Sequence, residues 1–306
     1  MIKADPIGAE GEVCISVALV TRNRPESLER TLRSLRAQNV QPFEMVVSDD
    51  SDDDQSHETE RVAEDYRCRY IRGPRRGLYA NRNHVALVCR GTHIRTMDDD
   101  HELPEHHIAL CLDAVMSNSE AIWVIGEHYP ESHFYPIPPP SPGQFQPRGF
   151  STPPTDAAHN WAIADGSTIF PRSIFTRGIL YSEAFKFGST FYEFGSRLFW
   201  LGYQFRFLST TYVLHHSQEF ERTGQTVWAG SAQVTLASRY YAMLCHSFIY
   251  QPTLRNKTQT RLQIARELLT KPKATFRALH HAKNAYRTTR RIALEQWLAY
   301  AIPELN

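Results

Sequence analysis

The sequence predicts an α/β protein with a mostly parallel, Rossmann-like sheet flanked by helices and followed by a carboxy-terminal helical extension. Three observations predict it. Short β-branched runs alternate with stretches of helical periodicity over the first hundred residues, and two of those runs end in aspartate clusters. Beyond 226 the chain reads as helices broken at Pro252, Pro272 and Pro303. Alternation of this kind makes the strands parallel, and such sheets bind ligands outside the carboxyl ends of their strands.

The elements follow in order. Residues 13–20 are apolar and β-branched, which predicts the first strand, and Thr21-Arg22-Asn23-Arg24-Pro25 interrupts it. Leu28, Leu32 and Leu35 then fall at helical spacing and predict a helix over 25–37. A second strand over 43–47 closes on Asp49 and Asp50, with a polar helix expected from about Glu58. Tyr70 and Ile71 give a third strand, and the Gly77 turn leads into a helix over 79–88. Residues 92–97 form a fourth strand that closes on Asp98, Asp99 and Asp100, with Leu103-Pro104 expected to open the next helix. After a strand at 123–126, nine prolines fall between Pro130 and Pro154, a composition that predicts a long loop. A helix over 191–201 and strands at 203–208 and 212–214 complete the unit. The expected organisation is one α/β domain over 1–225, with halves at 13–101 and 156–216 and the loop 130–155 between them, then a basic helical region over 226–306.

Composition narrows the function. Of 306 residues, 42% are apolar and 22% charged, as in globular proteins. Apolar runs such as 121–125 fall far short of the roughly 20 residues a membrane helix needs. The first dozen residues lack a basic start and an apolar core, so no secretory leader is expected. Five cysteines without a CxxC pair argue against a disulfide framework or zinc ribbon and for a cytoplasmic home. The net charge of +1 hides a basic tail, because residues 251–306 hold eleven Lys or Arg against three acids. With Trp297 and Tyr300, that tail is compatible with peripheral contact at the inner face of a membrane, or with packing against the rest of the chain. Nucleic acid is not expected as a partner.

The chemistry concentrates in Met97-Asp98-Asp99-Asp100-His101. Carboxylates this close repel unless a cation sits among them, and hard oxygen ligands suit Mg²⁺ or Mn²⁺, which also take substrate phosphates. Taken alone, the run is equally explained by helix capping at Asp100. Asp49-Asp50-Ser51 likewise fits ordinary turn chemistry. Two such clusters at neighbouring strand ends point to one grip for a nucleotide and another for a metal-bound diphosphate. His106-His107 and His280-His281 are expected on helix surfaces, and His101 takes no assigned role.

Residues 15–216 resemble the family 2 glycosyltransferases with the GT-A fold. Ile15 to Pro25 is similar to that family's first strand and loop, which implies that Thr21 and Arg24 lie beside the nucleotide base. Val46 to Ser51 is similar to the second strand, implying a base contact by Asp50, and Gly77 to Asn83 implies that Arg82 meets the diphosphate or base. Asp98-Asp99-Asp100 corresponds to the family's DxD motif. It implies Asp98 and Asp99 toward the donor and Asp100 as metal ligand, joined by His215 from Val213-Leu214-His215-His216. Asp165 to Arg172 and Arg197 to Tyr203 resemble the acceptor-side strand and the late helix. The family's catalytic acid lies just ahead of that helix's Arg-Leu, where this chain has Thr190 and Phe191 in place of an acidic pair. Glu193 is then the matching base, with Asp165 and Glu183 as alternatives. The resemblance implies inverting transfer from a nucleotide-diphosphate sugar, UDP favoured, to a hydroxyl of a glycan, lipid-linked or small-molecule acceptor, with Mn²⁺ or Mg²⁺. Two rivals stay open. One is a sugar nucleotidyltransferase, although residues 21–24 lack its Gly-rich phosphate loop. The other is a non-catalytic module that binds a nucleotide sugar or glycan, which the missing acidic pair allows.

Overall fold

The computed structural model describes residues 12–130, 142–153, 156, 159–216 and 232–301, with side chains to 295. The prolines of 131–141, the segment 217–231 and the side chains of Trp297 and Tyr300 lie outside these residues. The sheet has eight strands in the order β3 (Arg69–Arg72), β2 (Glu44–Asp49), β1 (Ile15–Thr21), β4 (His93–Asp98), β9 (Thr168–Pro171), β6 (Ile122–His128), β10 (Phe205–His215) and β5 (His101–Glu102). Six strands run parallel. β9 is inserted antiparallel between β4 and β6, and β5 pairs antiparallel with β10 at the edge.

Alternation along β1 builds a core on both faces. Val17 and Leu19 pack on α1 (Pro25–Arg36), α2 (Asp53–Asp65) and α4 (His107–Ser117). Ala18 and Val20 pack on α3 (Leu78–Val88), α5 (Ser173–Thr176) and α6 (Thr190–Trp200). The carboxy-terminal part consists of α7 (Ala232–Cys245), which continues into a π-helical turn over His246–Tyr250, then α8 (Leu254–Thr270) and α9 (Pro272–Ala301). These helices enclose a third core in which Tyr240, Tyr241, Ala278 and Ala282 meet Ala162 and Phe185 of the α/β unit. Among the described residues no helix is long and apolar enough to cross a membrane.

Several boundaries differ from the sequence reading, each for a local reason. α2 begins at Asp53 rather than near Glu58, because Asp53 and Asp54 in its first turn complement the positive helix end. The helix expected at Leu103-Pro104 starts at His107, since His101 and Glu102 first pair with β10 and His106 turns the chain at φ 64°. His107 is therefore buried and not on the surface, with Nδ1 2.9 Å from the Thr211 hydroxyl. The strands expected at 203–208 and 212–214 are one strand with a shift in register between Leu208 and Tyr212. Within the Pro-rich stretch, β7 (Gln144–Phe145) and β8 (Ser151–Thr152) form a small ladder, anchored by buried Phe145 stacked 4.6 Å from Tyr192.

α1 does more than cover the sheet. Leu28, Leu32 and Leu35 fill the core, while its polar side grips the turn after β4. The Ser27 hydroxyl donates to the Asp99 carbonyl at 2.9 Å, and the Thr31 hydroxyl lies 2.8 and 2.7 Å from the carbonyls of Asp99 and His101. Thr31→Val keeps the shape and removes the hydroxyl, so urea unfolding should lose about 1 kcal/mol with an unchanged m-value. An unaltered midpoint would mean that these carbonyls find other donors.

Candidate active site

The ends of β1, β2 and β4 stand side by side, with Thr21 opposite Asp49 and Val20 opposite Asp98. Asp49 is consumed by the scaffold: it accepts from the Ser51 amide at 2.7 Å and from the Tyr70 hydroxyl at 2.9 Å. Asp50 differs. Its Oδ1 accepts from the Arg75 amide at 2.9 Å, whereas Oδ2 is buried without a hydrogen-bond partner. Burial pushes this carboxyl above its usual range. A Cβ on Gly73 would lie 2.1 Å from Asp50 Oδ1, so glycine is what lets the chain close over the carboxylate.

The aspartates of the triplet divide their partners unequally. Arg82, buried within α3, donates to both oxygens of Asp98 at 2.7 and 2.9 Å, and its Nε lies 2.9 Å from Asp165. Its NH1 has no acceptor. Asp99 is fully buried, accepts from the Thr21 hydroxyl at 2.6 Å and is held by the Arg24 guanidinium. Burial still pushes its carboxyl up to about 6 against the pull of Arg24. Asp100 gives Oδ2 to Arg24 at 3.0 Å and turns Oδ1 toward two imidazoles, 3.6 Å from His215 Nε2 and 3.9 Å from His101 Nε2. Burial opposes ionisation of Asp100, but His215, Arg24 and His101 hold it well below the usual carboxylate range.

Asp100, His101 and His215 each offer a ligand atom, all within 4.8 Å of one another. Asp100 Oδ1 and both ring nitrogens of His101 are buried without hydrogen-bond partners, so the carboxylate oxygen and one imidazole nitrogen are open to a cation. Burial and the neighbouring His215 lower the His101 pKa to about 4, leaving a neutral imidazole with a lone pair to give. His215 is oriented from behind by Glu127, whose Oε2 lies 3.1 Å from Nδ1 and which also accepts from the Ser167 hydroxyl at 2.6 Å. Since a carboxylate only accepts, Nδ1 carries the proton and Nε2 faces Asp100, a common arrangement behind metal-bound histidines. Burial opposes protonation of His215, yet Asp100 and Glu127 raise its pKa well above the ordinary value. A cation would displace that proton. The residues present fit a divalent metal with one carboxylate and two imidazoles.

Sequence reasoning missed two members of this cluster. His101 stands next to Asp100, and that adjacency was the available signal. Glu127 stands near the end of β6, where nothing local distinguishes it. Arg24 and Thr21 meet Asp99, whereas Glu193 is placed elsewhere: it is fully buried, takes a hydrogen bond from Tyr250 and sits 3.2 Å from Arg197 Nε. These contacts tie α6 to the carboxy-terminal helices, while Oε2 of Glu193 is buried without a hydrogen-bond partner. Glu183 is occupied by Arg76 at 2.9 Å and Asn83 at 3.2 Å. Asp165 lies 2.9 Å from Arg82 Nε, on the guanidinium that also holds Asp98. Burial pushes it up to about 7, with Arg82 pulling it down and Asp98 and Glu127 adding to the rise.

The family model for glycosyl transferase family 2 matches residues 16–177, more than half of the chain. No curated protein sequence matches it significantly. Among solved structures, GalNAc-T7 with UDP, GalNAc and Mn²⁺ is similar with a TM-score of 0.58 at 16% identity, covering 76% of this chain and 48% of that one. This chain thus spans about half the length of that structure. S. aureus TarS 1–349 is similar with a TM-score of 0.53 at 14% identity, covering 93% of this chain and 91% of that one. The same TarS fragment in complex with UDP-GlcNAc gives 0.56 at 13% identity over the same shares. At these identities the likeness establishes the fold, GT-A.

The metal centre is testable without turnover. Titrating Mn²⁺ by electron paramagnetic resonance should show tight binding that strengthens as pH rises, because the ion competes with the His215 proton. Asp100→Ala should abolish it, and Glu127→Gln should weaken it about 10–100-fold. Unchanged affinity in Asp100→Ala would remove this cluster from consideration.

Proposed function

The chain belongs to glycosyl transferase family 2, and from that premise we propose that it inverts an anomeric centre, moving a sugar from a nucleotide-diphosphate donor to an acceptor hydroxyl. The observation that carries the reading is convergence. An unpaired buried acceptor on Asp50, an unpaired buried donor on Arg82 and the Asp100–His101–His215 cluster share one end of one sheet. A uracil presents a ring N–H that matches Asp50 Oδ2, and UDP is the nucleotide in the similar GalNAc-T7 structure, so a UDP-sugar is the favoured donor. We assign Thr21 and Arg24 to the base side, with Asp98 toward the donor and Asp99 behind it, bonding Thr21 and Arg24.

Arg82 NH1 is free to donate to a diphosphate oxygen, and Asp100, His101 and His215 would hold Mn²⁺ or Mg²⁺. When bound, the cation offsets the charge that develops on the leaving diphosphate. Asp165 is the group we assign to the acceptor. A carboxylate with a pKa near 7 is poised to take the hydroxyl proton as the glycosidic bond to the diphosphate lengthens. Attack from the opposite face inverts the centre. The acceptor is a glycan, a lipid-linked sugar or a small hydroxyl compound.

Incubation with Mn²⁺ and a panel of nucleotide sugars should yield donor hydrolysis for at least one UDP-sugar. UDP binding without turnover of any sugar would favour a binding module, and absence of both would end the proposal. Because Asp165 acts ionised, the rate should rise with pH through about 7 and flatten above it. Asp165→Asn should lower turnover by about 10²-fold or more and remove that limb, with donor affinity nearly intact. Glu193→Gln should chiefly lower thermal stability. The reverse pattern would return the base to Glu193.

A further inference from the structure

We propose that the outward face of α8, continued by the start of α9, docks on an anionic lipid bilayer. The face is unusual in what it leaves in water. Leu254, Leu262 and Leu269 are 78%, 65% and 86% exposed, and Phe276 at the start of α9 is 70% exposed. Positions 254, 258, 261, 262, 265 and 269 recur at spacings of three and four, so they share one side of the helix. Arg255, Arg261 and Arg266 are exposed along the same side, which carries no acid. The one acid of α8, Glu267, points inward, where Arg239 at 2.6 Å and the Tyr240 hydroxyl hold it. Past the turn, the exposed Lys273 and Arg277 extend the positive charge beside Phe276.

Charge selects the occupant. A second copy of the chain would set arginine against arginine across a two-fold axis, with no carboxylate on the face to offset them. A nucleic acid would use the arginines but leave the leucines in water. An anionic bilayer satisfies both: phosphate headgroups meet the guanidinium groups, and the leucines and Phe276 enter the acyl boundary, as interfacial amphipathic helices do. The inference does not rest on the transferase reading. A chain that binds vesicles and hydrolyses no donor would defeat that reading and leave this one standing.

The test is co-sedimentation of the full chain with vesicles of phosphatidylcholine alone or mixed with phosphatidylglycerol, at about 0.05 M and about 0.5 M salt. The chain should pellet with the anionic vesicles at low salt and bind at least about tenfold more weakly to neutral vesicles or at high salt. Leu262→Glu with Leu269→Glu should weaken binding about tenfold or more. The circular dichroism melt and donor hydrolysis should stay unchanged, since neither residue touches the core or the cleft. Arg255→Glu with Arg266→Glu should abolish the preference for anionic vesicles. No binding at low salt, or equal binding by the leucine variant, overturns the proposal. So does a concentration-dependent dimer dissolved by the leucine substitutions, or a duplex nucleic acid retained equally by wild type and leucine variant.

Discussion

Three consecutive carboxylates at the end of one strand are the constraint around which this molecule is arranged. Burying Asp99 and Asp100 beside the half-buried Asp98 is prohibitive unless each charge is compensated, because desolvation and mutual repulsion add. The fold supplies cationic partners from three places, with Arg24 shared by Asp99 and Asp100. Arg82 of α3 serves Asp98, Arg24 of the β1–α1 loop serves Asp99, and His215 at the end of β10 stands opposite Asp100. Those cations come from elements far apart in the chain, so their convergence ties both halves of the sheet to the triplet.

The balance is complete for Asp98 and Asp99 and incomplete for Asp100, whose Oδ1 faces imidazoles without a hydrogen bond. This asymmetry separates scaffold from site. Asp99 holds the first loop in place, while Asp100 is left able to accept a ligand. A similar division runs through the second cluster, where Asp49 is spent on Tyr70, Arg72 and Ser51 and Asp50 keeps one oxygen unpaired. In each cluster one carboxylate anchors its strand end and a neighbour presents an unsatisfied atom.

The carboxy-terminal helices act through two opposed faces. Their inward side closes the third core and receives Glu193 through Tyr250, which makes α6 continuous with the helical part. Their outward side carries basic and apolar residues together, a composition that packing against the α/β unit does not require. Glu193 joins α6 to both Tyr250 and Arg197.

Much of the sheet was legible in the residues, because strand alternation and helical spacing are local patterns. β1, α1, β4 and the placement of the aspartates at strand ends follow from such patterns. The family resemblance added Asp100 and His215 as partners, which the fold brings to 3.6 Å. Other features depend on neighbours across space. The antiparallel insertion of β9, the burial of His107 against Thr211, the pairing of Glu127 with His215 and the inward turn of Glu193 join residues up to 104 positions apart. No periodicity records such contacts, since a short apolar run does not state its direction and a carboxylate does not state its partner. The sequence by itself determined which segments could be strands and where acids would accumulate. Which charges meet is settled by folding alone, because pairing energy depends on distance and burial, and both exist only in the folded chain.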